Sequence, residues 1–208
     1  MSLLSSVITD IQYAIEDTSD SRFSAAYKLA MVKTAIKRAN RIVQRNGLQF
    51  AKKYTDLTTT DETAYIAMPD DFDIDIGIWN TGTHEQLTKA SEDEWEAIVA
   101  CDVNQYYLLD YVNSRILLKD TPNDSTTTLR LWYYPTVDPS AYTTGSTMPW
   151  GGRLDDAIAQ YVAMRLLNVS ETDTTMELSL LQDLESQILE AYRPLYQTLQ
   201  TPKGWIDT

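Results

Sequence analysis

The chain has 208 residues, of which 43% are apolar, and a formal net charge of −13 at pH 7. A chain of that length can bury a core of its own, and no apolar run approaches the roughly eighteen residues of a membrane-spanning helix. One cysteine and one histidine exclude an intrachain disulfide and a cluster of zinc ligands. We therefore expect a protein made in the cytosol, without membrane contact, that is stabilised by packing or by neighbouring copies.

The charge is distributed unevenly along the chain. Residues 1–53 hold nine of the 17 Lys and Arg residues but only four of the 30 Asp and Glu residues, so the remainder is strongly acidic. An acidic body disfavours general affinity for nucleic acid, because phosphate meets like charge. The basic segment beside it favours a local phosphate contact or a head-to-tail contact between identical subunits.

Two helices are predicted in the first quarter of the chain. In residues 2–16 the apolar residues recur at three- and four-residue steps, which is typical of an amphipathic helix, and residues 18–20 end it. A second helix is predicted over residues 24–46, with Ser24 as its N-cap and Gly47 as its C-terminal stop. Its apolar side is predicted to contain Tyr27, Met31, Ala35, Ala39 and Ile42.

The middle of the chain changes to the alternating pattern of β-strands. In residues 73–78 this alternation predicts isoleucines that face a core and aspartates that face water. Turns are predicted at 58–61 and 121–124, and the short connections favour one small antiparallel sheet. The predicted strands are 49–57, 62–68, 73–78, 111–119 and 128–134, with a short helix over 92–101.

The last third of the chain is predicted to be helical again. One helix is predicted over residues 154–169 and another over 175–199, bent at Pro194 because proline removes a backbone donor. The predicted fold class is therefore α+β: mainly an α-helical bundle of about four helices with an inserted small antiparallel β-sheet. We expect a single domain with four parts: bundle segments 1–47 and 150–200, a β-rich insertion with a short helix at 48–149, and a C-terminal tail at 201–208.

The sequence contains no complete catalytic, cofactor or metal motif. Asp71, Asp73 and Asp75 have the spacing of the first ligands of a calcium loop, but Gly82 stands where that loop needs a glutamate. His84 begins a zinc-protease pattern that lacks its second histidine. We interpret the aspartates as a solvated strand face and His84 as a loop residue, and we predict neither an enzyme nor a bound cofactor or metal. A carboxylate pair of the glycosidase type stays open, since thirty acidic residues supply many pairs.

The most suggestive feature is a basic strip on the second predicted helix. Its members Lys33, Lys37, Arg41 and Arg45 stand at four-residue steps, with Arg38 alongside. Side chains four residues apart lie along one face of a helix. The strip is either a solvated helix face or a contact with DNA in a channel or with the acidic flank of a neighbouring subunit. The acidic remainder of the chain favours the neighbouring subunit.

Four short motifs follow one another along the chain. They are residues 35–40 (AIKRAN), Tyr65-x-x-Met68-Pro69-x-Asp71-Phe72, residues 129–135 (LRLWYYP), and Met148-Pro149-Trp150 before an apolar helix. In this order, and over nearly the whole chain, they resemble the adaptor proteins of tailed bacteriophages, which are also called head-completion or head-to-tail connector proteins.

This resemblance implies a virion structural protein in the neck between head and tail. Such adaptors form a homo-oligomeric ring, commonly of twelve copies, beneath the portal protein. The ring closes the DNA-filled head, lets DNA pass without sequence-specific binding, and gives tail or nozzle proteins a docking surface. The C-terminal segment often reaches the portal, and its counterpart here contains Pro202, Gly204, Trp205 and Ile206. The alternatives are a cell-wall-degrading hydrolase of the virion and a different tail-completion ring protein.

Overall fold

The computed structural model describes residues 2–60, 63–98, 106–119, 127–168 and 174–192. The described residues of Met1–Phe50 and Val137–Thr208 form one compact unit, and those of Ala51–Thr136 form a second. Within the described ranges the helices are α1 (Leu4–Ala14), α2 (Ala25–Arg45), α3 (Glu92–Ala97), α4 (Asp155–Leu167) and α5 (Thr174–Tyr192). The strands are β1 (Lys53–Thr58), β2 (Tyr65–Ala67), β3 (Phe72–Asn80), β4 (Thr88–Lys89), β5 (Tyr106–Asp110), β6 (Arg115–Leu118) and β7 (Thr128–Pro135).

The prediction of a helical bundle with one small inserted sheet is wrong. The β strands form two substantial sheets, a three-stranded one in the order β1-β7-β3 and a four-stranded one in the order β2-β6-β5-β4. The two strands that flank the predicted turn at 58–61 do not pair with each other, because β1 pairs with β7 and β2 pairs with β6. The four-stranded sheet is not purely antiparallel, since β4 runs parallel to β5.

A tight hairpin joins β5 to β6 where the sequence predicted one long strand over residues 111–119. The Asp110 carboxylate accepts hydrogen bonds from the Asn113 backbone N–H (3.1 Å) and from Arg115 Nε (2.8 Å). Hydrogen bonds from the Asn113 side chain and from Arg115 hold the pKa of Asp110 down at about 2. Ser114 has a φ of 50°, a conformation that tight turns favour. Asp110 and Asn113 therefore formed a turn signal in the sequence. The prediction of a strand over residues 111–119 missed this signal.

The two sheets share one apolar core. Ile78, Leu129 and Leu131 come from the three-stranded sheet, and Tyr107 and Ile116 come from the other. The predicted alternation in β3 is wrong in part, because Ile74 is 42% exposed whereas the Asp75 side chain is only 10% exposed. The pairing of β3 with β7 shifts register between Phe72 and Ile74 and again between Asp75 and Gly77. Each such bulge reverses which side chains face the core.

The helical unit is organised around α4, which packs against α1, α2 and α5. The prediction of α2 is confirmed: the Ser24 side chain accepts from the Tyr27 N–H at 3.2 Å, and Gly47 adopts a φ of 66° just beyond the helix. Its predicted apolar side is displaced, because Tyr27 is 42% exposed. The residues that α2 buries are Lys28, Val32, Ala35, Ile36, Ala39 and Val43.

The start of the chain is pinned beside the start of α4. The Met148 N–H donates to the Ser2 carbonyl at 3.0 Å, and the Leu4 N–H donates to the Ser146 carbonyl at 2.9 Å. Gly152 has a φ of 82°, and a Cβ at that position would lie 2.5 Å from Ser2 Oγ. Only glycine fits both the backbone and this close approach, so the loop before α4 holds Ser2 against the first turn of α4.

Candidate functional site

The basic strip lies on the outer face of α2. Lys37, Arg41 and Arg45 are exposed, opposite the buried Val32 and Ile36. The helix contains no Asp or Glu, and none of the three cations joins an ion pair within the part of the chain that the structure describes. At 3.6 residues per turn, each four-residue step advances by about 40° around the helix. The strip is therefore a slowly winding positive surface whose exposed members join no ion pair among the described residues.

Lys33 differs from the other members of the strip. Its ammonium donates to the Ser140 carbonyl at 2.8 Å, which ties it to the loop before α4. Nearby Asp138 has a lowered pKa, chiefly through hydrogen bonds from Ser140 and to a smaller extent through the charges of Lys37 and Lys33. One carboxylate thus offsets part of the charge at this end of the strip, whereas Arg41 and Arg45 join no ion pair in the part of the chain that the structure describes.

The Arg38 side chain points away from the strip and contacts the other helices of its own unit. Its guanidinium donates to Tyr161 of α4 and lies 2.9 Å from Glu177 of α5. Arg165 reaches the same Glu177 oxygen at 3.0 Å. Hydrogen bonding by Arg38 and the charge of Arg165 lower the pKa of Glu177. Arg38 is thereby engaged between α2, α4 and α5, and the sequence could not show this because Glu177 lies 139 residues away.

A buried ion-pair network, which the sequence did not reveal, joins α2 to the turn after α1. Lys28 is fully buried, and its ammonium lies 2.9 Å from the Asp17 carboxylate and 2.7 Å from Asp20. Asp17 also accepts hydrogen bonds from the N–H groups of Arg22 (3.0 Å) and Phe23 (2.9 Å). The Arg22 N–H and then the Lys28 ammonium lower the pKa of Asp17. Burial opposes the charge on Lys28, yet hydrogen bonds to Asp20 and Asp17 raise its pKa.

The aspartates with calcium-loop spacing do not converge on a common point. Asp71 accepts from Lys53 Nζ at 2.6 Å and from the Tyr133 hydroxyl at 2.7 Å. Burial opposes the charge on Asp71, but these two hydrogen bonds lower its pKa. Asp75 accepts from Lys89 Nζ at 2.6 Å and from the Tyr107 hydroxyl at 2.9 Å. Asp71 and Asp75 therefore each bind a separate lysine and tyrosine. The interpretation of a solvated strand face is wrong for Asp75, whose side chain is only 10% exposed.

His84 lies in the turn after β3. It is exposed, has a φ of 63°, and donates its backbone N–H to the Asn80 carbonyl at 2.9 Å. The structure therefore agrees with the prediction of a loop histidine. Across the described ranges, no group of three or more His, Cys, Asp or Glu residues is arranged to hold a metal ion.

A carboxylate cluster, formed by Asp10, Asp155 and Asp156, lies where α1 meets the first turn of α4. Asp10 and Asp156 are exposed, whereas Asp155 is half-buried beside Ser2. Burial raises the pKa of Asp155, a hydrogen bond with the Ser2 side chain opposes this rise, and the neighbouring charges of Asp156 and Asp10 add to it. The nearest cation along the chain, Arg153, lies over the Phe50 ring at 5.9 Å. The cluster is thus the acidic counterpart of the basic strip on the same unit.

Other predicted features lie outside the described residues. They are Cys101, the turn at 121–124, the bend at Pro194, and the tail residues Pro202, Gly204, Trp205 and Ile206. In the part of the chain that is described, every helix is too short or too polar to cross a lipid bilayer.

Comparison with known proteins gives the class of the protein as a bacteriophage adaptor. The family model described as SU10 adaptor protein matches residues 2–202. Since the match covers nearly the whole chain, the chain belongs to the SU10 adaptor family, a family of phage head-to-tail adaptors. No curated protein matches the chain significantly.

Proposed function

We propose that the protein is a virion structural component that forms a ring beneath the portal, in the neck between head and tail. The ring closes the DNA-filled head and presents a docking surface to tail or nozzle proteins. The chain is made in the host cytoplasm before it joins the virion. Family membership supports the adaptor role in general. The observation that carries the ring is the exposed basic strip, in which Lys37, Arg41 and Arg45 join no ion pair among the described residues of a chain of net charge −13.

The basic strip is the proposed contact between neighbouring subunits. Lys37, Arg41 and Arg45 project from one rigid helix, and a rigid array of like charges attracts a complementary surface while contributing little to the fold. DNA offers such a surface, but an acidic ring repels DNA overall, and this repulsion lets DNA pass through a channel without binding. A second acidic copy is therefore the better partner for the strip.

We expect the double variant Lys37→Glu, Arg41→Glu to assemble poorly on the portal while its monomer stays folded. Both side chains are exposed, so their reversal removes attraction between subunits and leaves the core intact. Ring formation is measured by native mass spectrometry, and the monomer is checked by circular dichroism. The control variant Arg22→Glu, Lys52→Glu makes the same charge change off the strip. If the variant assembles normally but the head no longer retains its DNA, the strip faces the DNA channel. If neither assembly nor DNA retention changes, the strip is a solvated helix face.

We further propose that the protein is not an enzyme. Of the carboxylates with motif-like spacing, Asp71 and Asp75 are each bonded to a lysine and a tyrosine, an arrangement that supports structure. The alternative of a cell-wall hydrolase needs two carboxylates on either side of a cleft. A clearing on a peptidoglycan zymogram that disappears when one carboxylate pair is mutated would establish the hydrolase and reject this proposal.

A further inference from the structure

The two sheets of the β unit continue into each other through backbone hydrogen bonds. After β3 the chain turns back, and the Asn80 N–H donates to the Glu85 carbonyl at 2.8 Å. The Leu87 N–H then donates to the Ile78 carbonyl, also at 2.8 Å. The same segment runs directly into β4, which pairs with β5. The combined sheet therefore ends at β1 on one side and at β2 on the other.

The backbone of β1 has a free outer edge. The Thr59 N–H donates to the Thr127 carbonyl at 3.1 Å, and the pairing continues in the same register along β1. In an antiparallel pair only every second residue bonds to the neighbouring strand. The residues between them direct their N–H and C=O groups away from β7 and have no backbone partner among the described residues: Tyr54, Asp56 and Thr58. All three are exposed.

The backbone of β2 has a free edge of the same kind. The Met68 N–H donates to the Ser114 carbonyl at 2.9 Å, and Ile66 follows in the same alternating register with β6. The backbone groups of Tyr65 and Ala67 therefore point away from β6, and both residues are exposed. Alternating N–H and C=O groups along an open edge match another extended backbone, so such an edge is a template for a further strand.

The apolar core is incompletely covered beside both edges. Leu57 of β1 and Met68 next to β2 are only partly buried, although both pack against the core that the two sheets share. The charges on β1 are paired internally, because Arg130 binds Asp56 through two hydrogen bonds of 2.7 and 2.9 Å. A strand that pairs with either edge therefore gains backbone hydrogen bonds and apolar burial, and the Asp56 charge is already neutralised.

We propose that β1 of one copy pairs with β2 of the next copy in the ring. Each copy then contributes one free edge and receives one, so identical copies satisfy both edges, whereas a single strand from another protein satisfies one. A contact between two different edges is heterologous, and its repetition around an axis closes a ring. This inference rests on the proposed ring and adds a backbone contact to that of the basic strip.

The first test is a pair of proline substitutions in the full-length chain, assembled with its portal and followed by native mass spectrometry. Thr58→Pro and Ala67→Pro each remove an N–H that points to a free edge, and an edge strand tolerates proline there because no bond within the sheet is lost. We expect each variant to stay folded by circular dichroism and to reduce ring formation on the order of tenfold. The controls Thr58→Ala and Ala67→Ser keep the N–H and should assemble like the natural chain.

The second test is amide hydrogen exchange of the natural chain, which does not depend on how the proline variants fold. The amides of the two free edges should exchange at least about tenfold more slowly in the assembled ring than in the monomer. Proline variants that assemble like the natural chain, or a natural ring whose edge amides stay unprotected, would overturn the pairing and leave the proposed ring standing. Protection of one edge alone would assign that edge to a strand of another protein and reject the pairing. Absence of any ring would overturn the proposed function and the pairing together.

Discussion

Lys28→Met is expected to destabilise the monomer by about 3 kcal/mol, which corresponds to a fall in Tm of roughly 6 to 12 °C for a chain of this size. The substitution removes the ammonium that joins Asp17 and Asp20 and leaves the almost fully buried Asp17 without its cation. Loss of one partner of a buried ion pair costs more than the pair contributes, because the other charge stays desolvated. We take the low end of the usual range since the Asp20 side chain is 35% exposed.

The control for this prediction is Lys37→Met on the same helix. Lys37 is exposed, so the free energy of unfolding should change by no more than about 0.5 kcal/mol. Urea unfolding of both variants measures the difference. Equal stabilities for Lys28→Met and the natural chain would contradict the network as a fixed connection between α1 and α2.

The pH dependence gives a further check on the Lys28 network. Asp17 has a pKa below its ordinary value of 3.8 in the folded chain, so its stabilising effect is present above that value and is lost as the pH falls through the folded pKa. The difference in stability between the natural chain and Lys28→Met should therefore be full at neutral pH and shrink below about pH 3.8. A gap that stays constant down to pH 2 would assign the effect to packing of the lysine stem.

Deletion of residues 202–208 is expected to reduce portal binding sharply and to leave the helical content and Tm of the monomer unchanged. Trp205 and Ile206 follow Pro202 and Gly204, which separate these large apolar side chains from any preceding helix. Large apolar side chains beyond the last helix are typical anchors for a groove on a partner. We therefore propose this tail as the contact with the portal.

Portal affinity of the truncated and full-length chains is measured by surface plasmon resonance. The matched variant Trp205→Ala, Ile206→Ala keeps the length of the tail and should lose most of the same affinity. A truncated chain that binds the portal as tightly as the full chain would contradict the proposal. A drop in Tm on truncation would show instead that Trp205 packs against its own subunit.

Local signals predicted local structure well. The predicted bounds of α2 lie within one residue of the observed ones at each end. They came from the N-cap Ser24, from Gly47 and from the helical spacing of the apolar residues, and all three signals are encoded in neighbouring residues. The strand pairing could not be predicted in this way, since Lys53 of β1 is the partner of Tyr133 of β7 and nothing local marks that choice. The bulges in β3 likewise arise from its pairing with β7 and reverse the alternation that the isoleucines and aspartates suggested.

Of the candidate site, only the basic strip could be predicted from the sequence. The four-residue spacing from Lys33 to Arg45 was visible in the sequence, but the departure of Arg38 towards Glu177 depends on a helix far along the chain. The sequence pattern assigned no role to Lys28, which is the buried centre of an ion-pair network. The carboxylate cluster joins Asp10 to Asp155 across most of the chain, so only the packing of α1 on α4 could reveal it.

Electron cryomicroscopy of the purified protein with and without its portal tests the central claim most directly. The account predicts a closed ring of identical copies on the portal, in which the exposed face of α2 in each copy contacts the next copy. Single copies bound separately to the portal, or a ring whose subunits meet through other surfaces while α2 faces solvent, would contradict it.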